Sequence, residues 1–177
     1  LARLAEGCQR LMIPCDMQVL RNELSIYMQQ LDQGVCKLIL TRGAGQRGYA
    51  MPEPCAPQRI LQASSLPQWP VAHRLQGIQL FACQLRLSEQ PLLASLKHLN
   101  RLEQVLARAE WSNPAYAEGL LLDRQSRVVD CVFSNIFIVY NQQLLTPDLH
   151  SCGVAGVMRA GLLARAQAAG FSVAVSD

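Results

Sequence analysis

The chain has 177 residues, half of them hydrophobic, which is enough for one large or two small domains around a real core. Its net charge is +3, with acids and bases mixed along the chain and aromatic residues at only 6%, so no basic, aromatic-studded surface for nucleic acid is expected. No apolar run is long enough to span a bilayer and no signal peptide is visible, so neither a membrane nor a secretory role is expected.

Leu1, Leu4, Cys8, Leu11 and Met12 recur at helical spacing, and Pro14 stops that helix. Asp16 is a candidate N-cap for a second helix running to about Leu31, with Val19, Leu20, Leu24 and Tyr27 on one face and Gly34 as the breaker. Residues 35–41 (VCKLILT) predict a buried strand, 42–49 (RGAGQRGY) a glycine-rich loop, 50–57 an irregular stretch with three prolines, and 59–65 another strand. Pro67, Trp69 and Pro70 open a connection that reaches Gly77. The chain is therefore divided into a small domain over 1–70, a linker over 71–77 and a larger domain over 78–177.

In the larger domain, 78–85 predicts a strand, and a helix following Lys97 is expected to end near Trp111. Short apolar runs at 117–122, 127–131, 135–140 and from Leu144 to Pro147, separated by turn residues, suggest a β-meander. A helix from about Val157 stops at Gly170, and 171–175 predicts a last strand. Helices and strands are mixed without strict alternation, which favours an α+β fold. Leu1 falls inside a helical pattern and the chain ends just after a strand pattern, so both ends look cut.

The seven cysteines are widely spaced and include no CxxC, so neither a zinc site nor a disulfide framework is expected. Reduced thiols in a cytoplasmic protein are the better reading. His73, His98 and His150 lie far apart and suggest no metal site. No GxSxG, P-loop or HExxH pattern is present.

The run Ser95-Leu96-Lys97-His98-Leu99-Asn100-Arg101-Leu102-Glu103-Gln104-Val105-Leu106 places a lysine one step ahead of an expected amphipathic helix. A lysine held there and partly shielded from water loses its proton more easily and can attack an aldehyde. By itself Lys97 reads more readily as a surface lysine on an ordinary helix. Two further segments stand downstream: Val128-Val129-Asp130-Cys131-Val132-Phe133-Ser134-Asn135 and Gly153-Val154-Ala155-Gly156-Val157-Met158-Arg159. In the second, glycines free the backbone before a helix start whose amides could hold an anion.

Taken together, and in this order, the lysine segment, the Asp130 segment and the glycine turn resemble the aminodeoxychorismate lyase family of fold type IV pyridoxal-phosphate enzymes. The resemblance spans the whole chain. It implies the two-domain architecture of D-amino-acid aminotransferase-like proteins, incomplete at both termini here, and pyridoxal 5'-phosphate as cofactor on Lys97. It also implies a carboxylate beside the pyridine nitrogen at Asp130. The family pattern usually has Glu there, one methylene longer, so a closer backbone, a bridging water or a weaker contact is expected. Ser134, Asn135 and the amides of Val157 and Met158 are implied around the cofactor, with Arg3 of the first helix reaching its phosphate. Arg47, with Arg42 and Tyr49 in the same loop, is implied for substrate carboxylates. The implied reaction converts 4-amino-4-deoxychorismate to 4-aminobenzoate and pyruvate, a folate-precursor lyase step, in a homodimer. A D-amino-acid or branched-chain aminotransferase of the same fold, or a truncated homologue without catalysis, are the alternatives.

Overall fold

The computed structural model describes residues 1–176. The chain divides into two compact units, the first Leu1–Pro70 and the second from Val71 onward.

The first unit begins with two helices, α1 (Ala2–Arg10) and α2 (Met17–Met28). Asp16 caps α2 as its position before the apolar face suggests: its Oδ1 accepts from the amides of Gln18 at 2.8 Å and Val19 at 3.1 Å. Leu20 is the fully buried residue of that helix. The strands β1 (Val35–Thr41) and β2 (Gln58–Ser64) pair antiparallel, with Val35 opposite Ser64 and Leu38 opposite Leu61. Gly43 follows β1 at φ +92°, and a side chain there would run into the carbonyl of Ala56, so the loop closes only with glycine. The Arg59–Glu23 ion pair, at 2.6 Å, ties β2 to α2.

The second unit opens with α3 (Val71–Gln76), so the stretch expected as a bare linker holds a short helix. Next come β3 (Gln79–Leu87), α4 (Leu102–Arg108), β4 (Tyr116–Asp123) and β5 (Val128–Cys131). They are followed by β6 (Ile138–Tyr140), β7 (Gln143–Pro147), α5 (Val157–Ala168) and β8 (Ser172–Ser176). These strands form two three-stranded sheets, ordered β3-β4-β5 and β6-β7-β8. β3 and β4 run parallel, as do β7 and β8, while β4–β5 and β6–β7 are antiparallel.

The expected continuous meander is therefore corrected. The chain leaves one sheet after Cys131 and enters the other at Ile138, through a tight turn in which the Cys131 amide donates to the Ser134 carbonyl at 2.7 Å. Strand periodicity registers alternation but not which strands pair, and a polar turn inside an apolar run looks like a continuing strand. The hairpin at Asn141-Gln142 has both residues at positive φ, 47° and 62°, as a tight two-residue turn requires.

The core of this unit joins Cys83 and Leu87 of β3, Ala107 of α4, Trp111, Leu121 of β4, Val129 of β5, and Leu149 and Cys152 of the loop after β7. Trp111 stacks on Phe81 with ring centroids 5.4 Å apart, and the Arg108 guanidinium lies 4.5 Å from its ring. The β3–β4 register shifts between Ala82 and Arg86. In that bulge the amides of Gln84 and Leu85 donate to the Glu110 carboxylate at 2.6 and 2.9 Å, so the irregularity leaves neither donor unmet. The loop between β7 and α5 then passes beside the end of β5, which places Asp130, the glycine turn and the Lys97 segment together.

Candidate active site

Lys97 lies in an irregular stretch between β3 and α4. The helix begins at Leu102, five residues later than the lysine, and Lys97 is exposed in this chain. Both points correct the expectation of a partly shielded lysine at a helix entrance. The apolar repeat of 99–106 suggests a helix, but the first residues of the run are bonded elsewhere. Ser95, at φ +66°, donates its amide to the Gly153 carbonyl at 3.0 Å, and its carbonyl accepts from the Ala155 amide at 3.0 Å. This bridge fastens the lysine segment to the glycine turn. Next to Lys97, Leu96 is buried and anchors the segment in the interior.

Arg101 holds the other side. Its Nε donates to the His98 carbonyl at 3.0 Å and its Nη2 to the Leu96 carbonyl at 2.5 Å. His98 turns its Nδ1 into a buried position without a hydrogen-bond partner. Burial, then the neighbouring Arg101 charge, lower the His98 pKa, with Glu103 opposing, which favours a neutral imidazole.

Asp130, in β5, is buried at 4% exposure. Its Oδ2 accepts from the Val154 amide at 3.1 Å, while Oδ1 is buried with no hydrogen-bond partner. Burial raises its pKa to about 6. The Val154 hydrogen bond and the charges of Arg101 and Lys97 pull the other way, and Glu118 adds a little to the rise. The Lys97 charge is thus among those that favour the ionised form of Asp130.

Glu118 of β4 was not singled out from the sequence, where it is one acid in an apolar run. It is 2% exposed, and its carboxylate accepts from the Gly119 amide at 2.9 Å and the Ser134 hydroxyl at 2.9 Å. Burial raises its pKa, and those hydrogen bonds offset only part of the rise. Glu118 therefore pins the turn after β5 through the proton of the Ser134 hydroxyl.

Asn135 clamps the glycine turn from both sides: its Nδ2 donates to the Val154 carbonyl at 2.8 Å and its Oδ1 accepts from the Gly156 amide at 3.1 Å. Gly153 sits at φ +80°, where an added Cβ would lie 2.7 Å from Val129 Cγ1 and 2.8 Å from Leu149 Cδ2. Only glycine allows this close approach.

The amides of Val154, Ala155 and Gly156 are all bonded within the protein. Val157 and Met158 instead form the first turn of α5, whose cap, Gly156, makes no side-chain hydrogen bond to them. The arrangement leaves a helix N-terminus as the place for an anion. Burial pushes the thiols of Cys83, Cys131 and Cys152 up to about 11, so these cysteines are neutral near pH 7 and poor nucleophiles. Among the described residues no helix is long and apolar enough to cross a membrane.

The second unit therefore brings together Lys97, Asp130, Ser134, Asn135, Val157 and Met158. Arg3, Arg42, Arg47 and Tyr49 belong to the first unit. There, Arg3 lies in α1, and Arg42 donates to the carbonyls of Leu11 and Met12 just beyond that helix. Arg47 and Tyr49 sit in the exposed loop after β1. Arg101, Glu118 and Val154 are the additions. Arg101 lies inside the lysine segment, but its role depends on a loop that replaces the expected first helical turn.

The chain is similar to several known proteins. A curated aminodeoxychorismate lyase from Vibrio harveyi is 40% identical over 141 residues, covering 80% of this chain and 52% of the relative. The crystal structure of 4-amino-4-deoxychorismate lyase from Pseudomonas aeruginosa superposes with a TM-score of 0.97 at 58% identity, covering 99% of this chain and 65% of that one. The branched-chain amino acid aminotransferase of Escherichia coli shares the fold, with a TM-score of 0.78 at 20% identity, over 99% of this chain and 60% of that one. The chain spans about half the length of the curated lyase it matches. The amino-transferase class IV family matches residues 1–177, the full sequence, and the chain belongs to that family.

Proposed function

We propose that the protein is a pyridoxal-phosphate-dependent lyase that converts 4-amino-4-deoxychorismate to 4-aminobenzoate and pyruvate. The observation that carries this reading is the buried Asp130 carboxylate, one oxygen held by Val154 and the other without a partner, within reach of the Lys97 charge. A protonated ring nitrogen is the kind of donor that an orphaned carboxylate oxygen lacks, so the residues present fit the cofactor. The uncapped start of α5 fits its phosphate. The choice of lyase over aminotransferase is supported by the 58% and 40% identities to lyases, against 29% to a putative branched-chain-amino-acid aminotransferase from Methanocaldococcus jannaschii.

Pyridoxal phosphate, when bound, supplies an aldehyde for amines and a ring that accepts electrons. The chain's own residues do the rest. Lys97 would hold the cofactor through Nζ and, as a free amine, would serve as the base for the proton on the carbon bearing the substrate nitrogen. Asp130 holds a negative charge at Oδ1, aligned by the Val154 amide on Oδ2. Asn135 and Ser95 keep the glycine turn in place, so that Val157 and Met158 present their amides to phosphate. By the family resemblance, Arg47 is the expected partner of a substrate carboxylate and Arg3 that of the phosphate. The protein acts as a homodimer in the cytoplasm, a compartment that suits its seven free thiols.

The test is an absorption spectrum with pyridoxal phosphate, beside Lys97→Ala, followed by a pyruvate-release assay with 4-amino-4-deoxychorismate. A near-visible band that requires Lys97, with pyruvate release lost in the variant, is expected. Amine transfer to a keto acid without pyruvate release would replace the lyase by an aminotransferase. The absence of any Lys97-dependent band would end the cofactor assignment.

A further inference from the structure

The Lys97 stretch is irregular, exposed at the lysine and bounded by α4 only from Leu102. A loop of this kind would let the lysine wander, yet one side chain spans it. The Arg101 guanidinium bonds the carbonyls of Leu96 and His98, the residues on either side of Lys97. Its planar fork presents two N–H groups at a fixed spacing, which matches two carbonyls better than a single ammonium can. Arg101 is half-buried, so these bonds are shielded from competing water. Its charge also favours the ionised form of Asp130. Glu103 is the other acid that interacts with Arg101. His98, adjacent to Lys97, does not share this work through Nδ1, which has no partner.

We propose that Arg101 is a positioning residue for Lys97: it clasps the peptide groups on both sides of the lysine and so sets the backbone from which Nζ reaches the cofactor. The inference rests on the assignment of Lys97 as the cofactor lysine. It separates two functions that a single deletion would mix. The fork geometry controls how readily Lys97 reaches its target. The positive charge controls how readily Asp130 stays ionised, with Lys97 and Glu118 as the other charges that act on it.

The experiment follows the growth of the near-visible band after pyridoxal phosphate is added to the protein, and the pH midpoint of that band, for Arg101→Lys, Arg101→Gln and Lys97→Ala. Near-UV circular dichroism of each variant gives its folded fraction. Arg101→Lys should keep the pH midpoint but slow the growth of the band by roughly tenfold, since small misplacements of a reacting group are costly. Arg101→Gln should slow it at least as much and shift the midpoint as well. Rates in both variants equal to those of the unsubstituted protein would overturn the inference. So would a slowing that merely tracks the loss of folded protein. If the band depends on Lys97 but not on Arg101, only this inference fails; if it persists in Lys97→Ala, the cofactor assignment fails and this inference with it.

Discussion

Asp130 is the residue at which burial and function pull against each other. Its pKa of about 6 in the folded chain stands above the ordinary carboxylate value of 3.8. Between those values the folded state binds more protons than the unfolded one, so stability falls as pH rises from about 4 to about 6 and stays lowered above that. Asp130→Asn keeps the shape and can still accept from Val154, but it has no charge to bury. Thermal unfolding without cofactor should show this pH slope for the unsubstituted protein and a flatter profile for Asp130→Asn, while the variant loses its Lys97-dependent spectrum. An equal slope in both would show that Asp130 is not the group responsible. The two loop arginines divide in a similar way. Arg42 is engaged with the carbonyls of Leu11 and Met12. Arg42→Ala should therefore cost about 1–3 kcal/mol of stability, read by denaturant unfolding. Arg47→Ala should leave stability unchanged and raise KM for the substrate more than it lowers kcat.

The element that decides the site is the turn between β7 and α5, which is held by groups from other segments of the chain. Asn135, beyond the end of β5, bonds both the Val154 carbonyl and the Gly156 amide, and Ser95 bonds Gly153 and Ala155. Removing the Asn135 amide strands two backbone groups at once. Asn135→Ala should destabilise the protein by about 1–3 kcal/mol and weaken pyridoxal phosphate binding without abolishing the Lys97-dependent band. Denaturant midpoints and a cofactor titration give the two readings, and unchanged values in both would remove Asn135 from the clamp. In the structure, the Ser134 hydroxyl donates to Glu118 and Asn135 bonds the glycine turn.

Over the whole molecule, Lys97, Asp130 and the start of α5 come from segments far apart in the chain yet belong to a single compact unit. A ligand that binds all three binds only the folded state. Pyridoxal phosphate at one hundred times its dissociation constant should then add about 2.7 kcal/mol to stability, and the unfolding midpoint should climb with its concentration. The gain should shrink in Lys97→Ala; an equal gain in both proteins would place the binding elsewhere.

Much of the fold was legible from local pattern. Asp16 marked the start of α2, apolar runs marked β1 and β4, and Gly170, at φ +81°, marked the end of α5. These features are set by neighbours along the chain, through capping, period and backbone freedom, so sequence alone determined them. The lysine, the carboxylate and the glycine turn were legible for a different reason: their residue types and order resemble those of the family. The tertiary structure decided the rest. It split the expected meander into two sheets, delayed α4 until Leu102 and turned Arg101 onto the carbonyls beside Lys97. It also buried Glu118 beneath Ser134 and left one oxygen of Asp130 without a partner. The strand pairings and the Glu118–Ser134 contact join groups distant in sequence, and only the folded chain determines which pairs form.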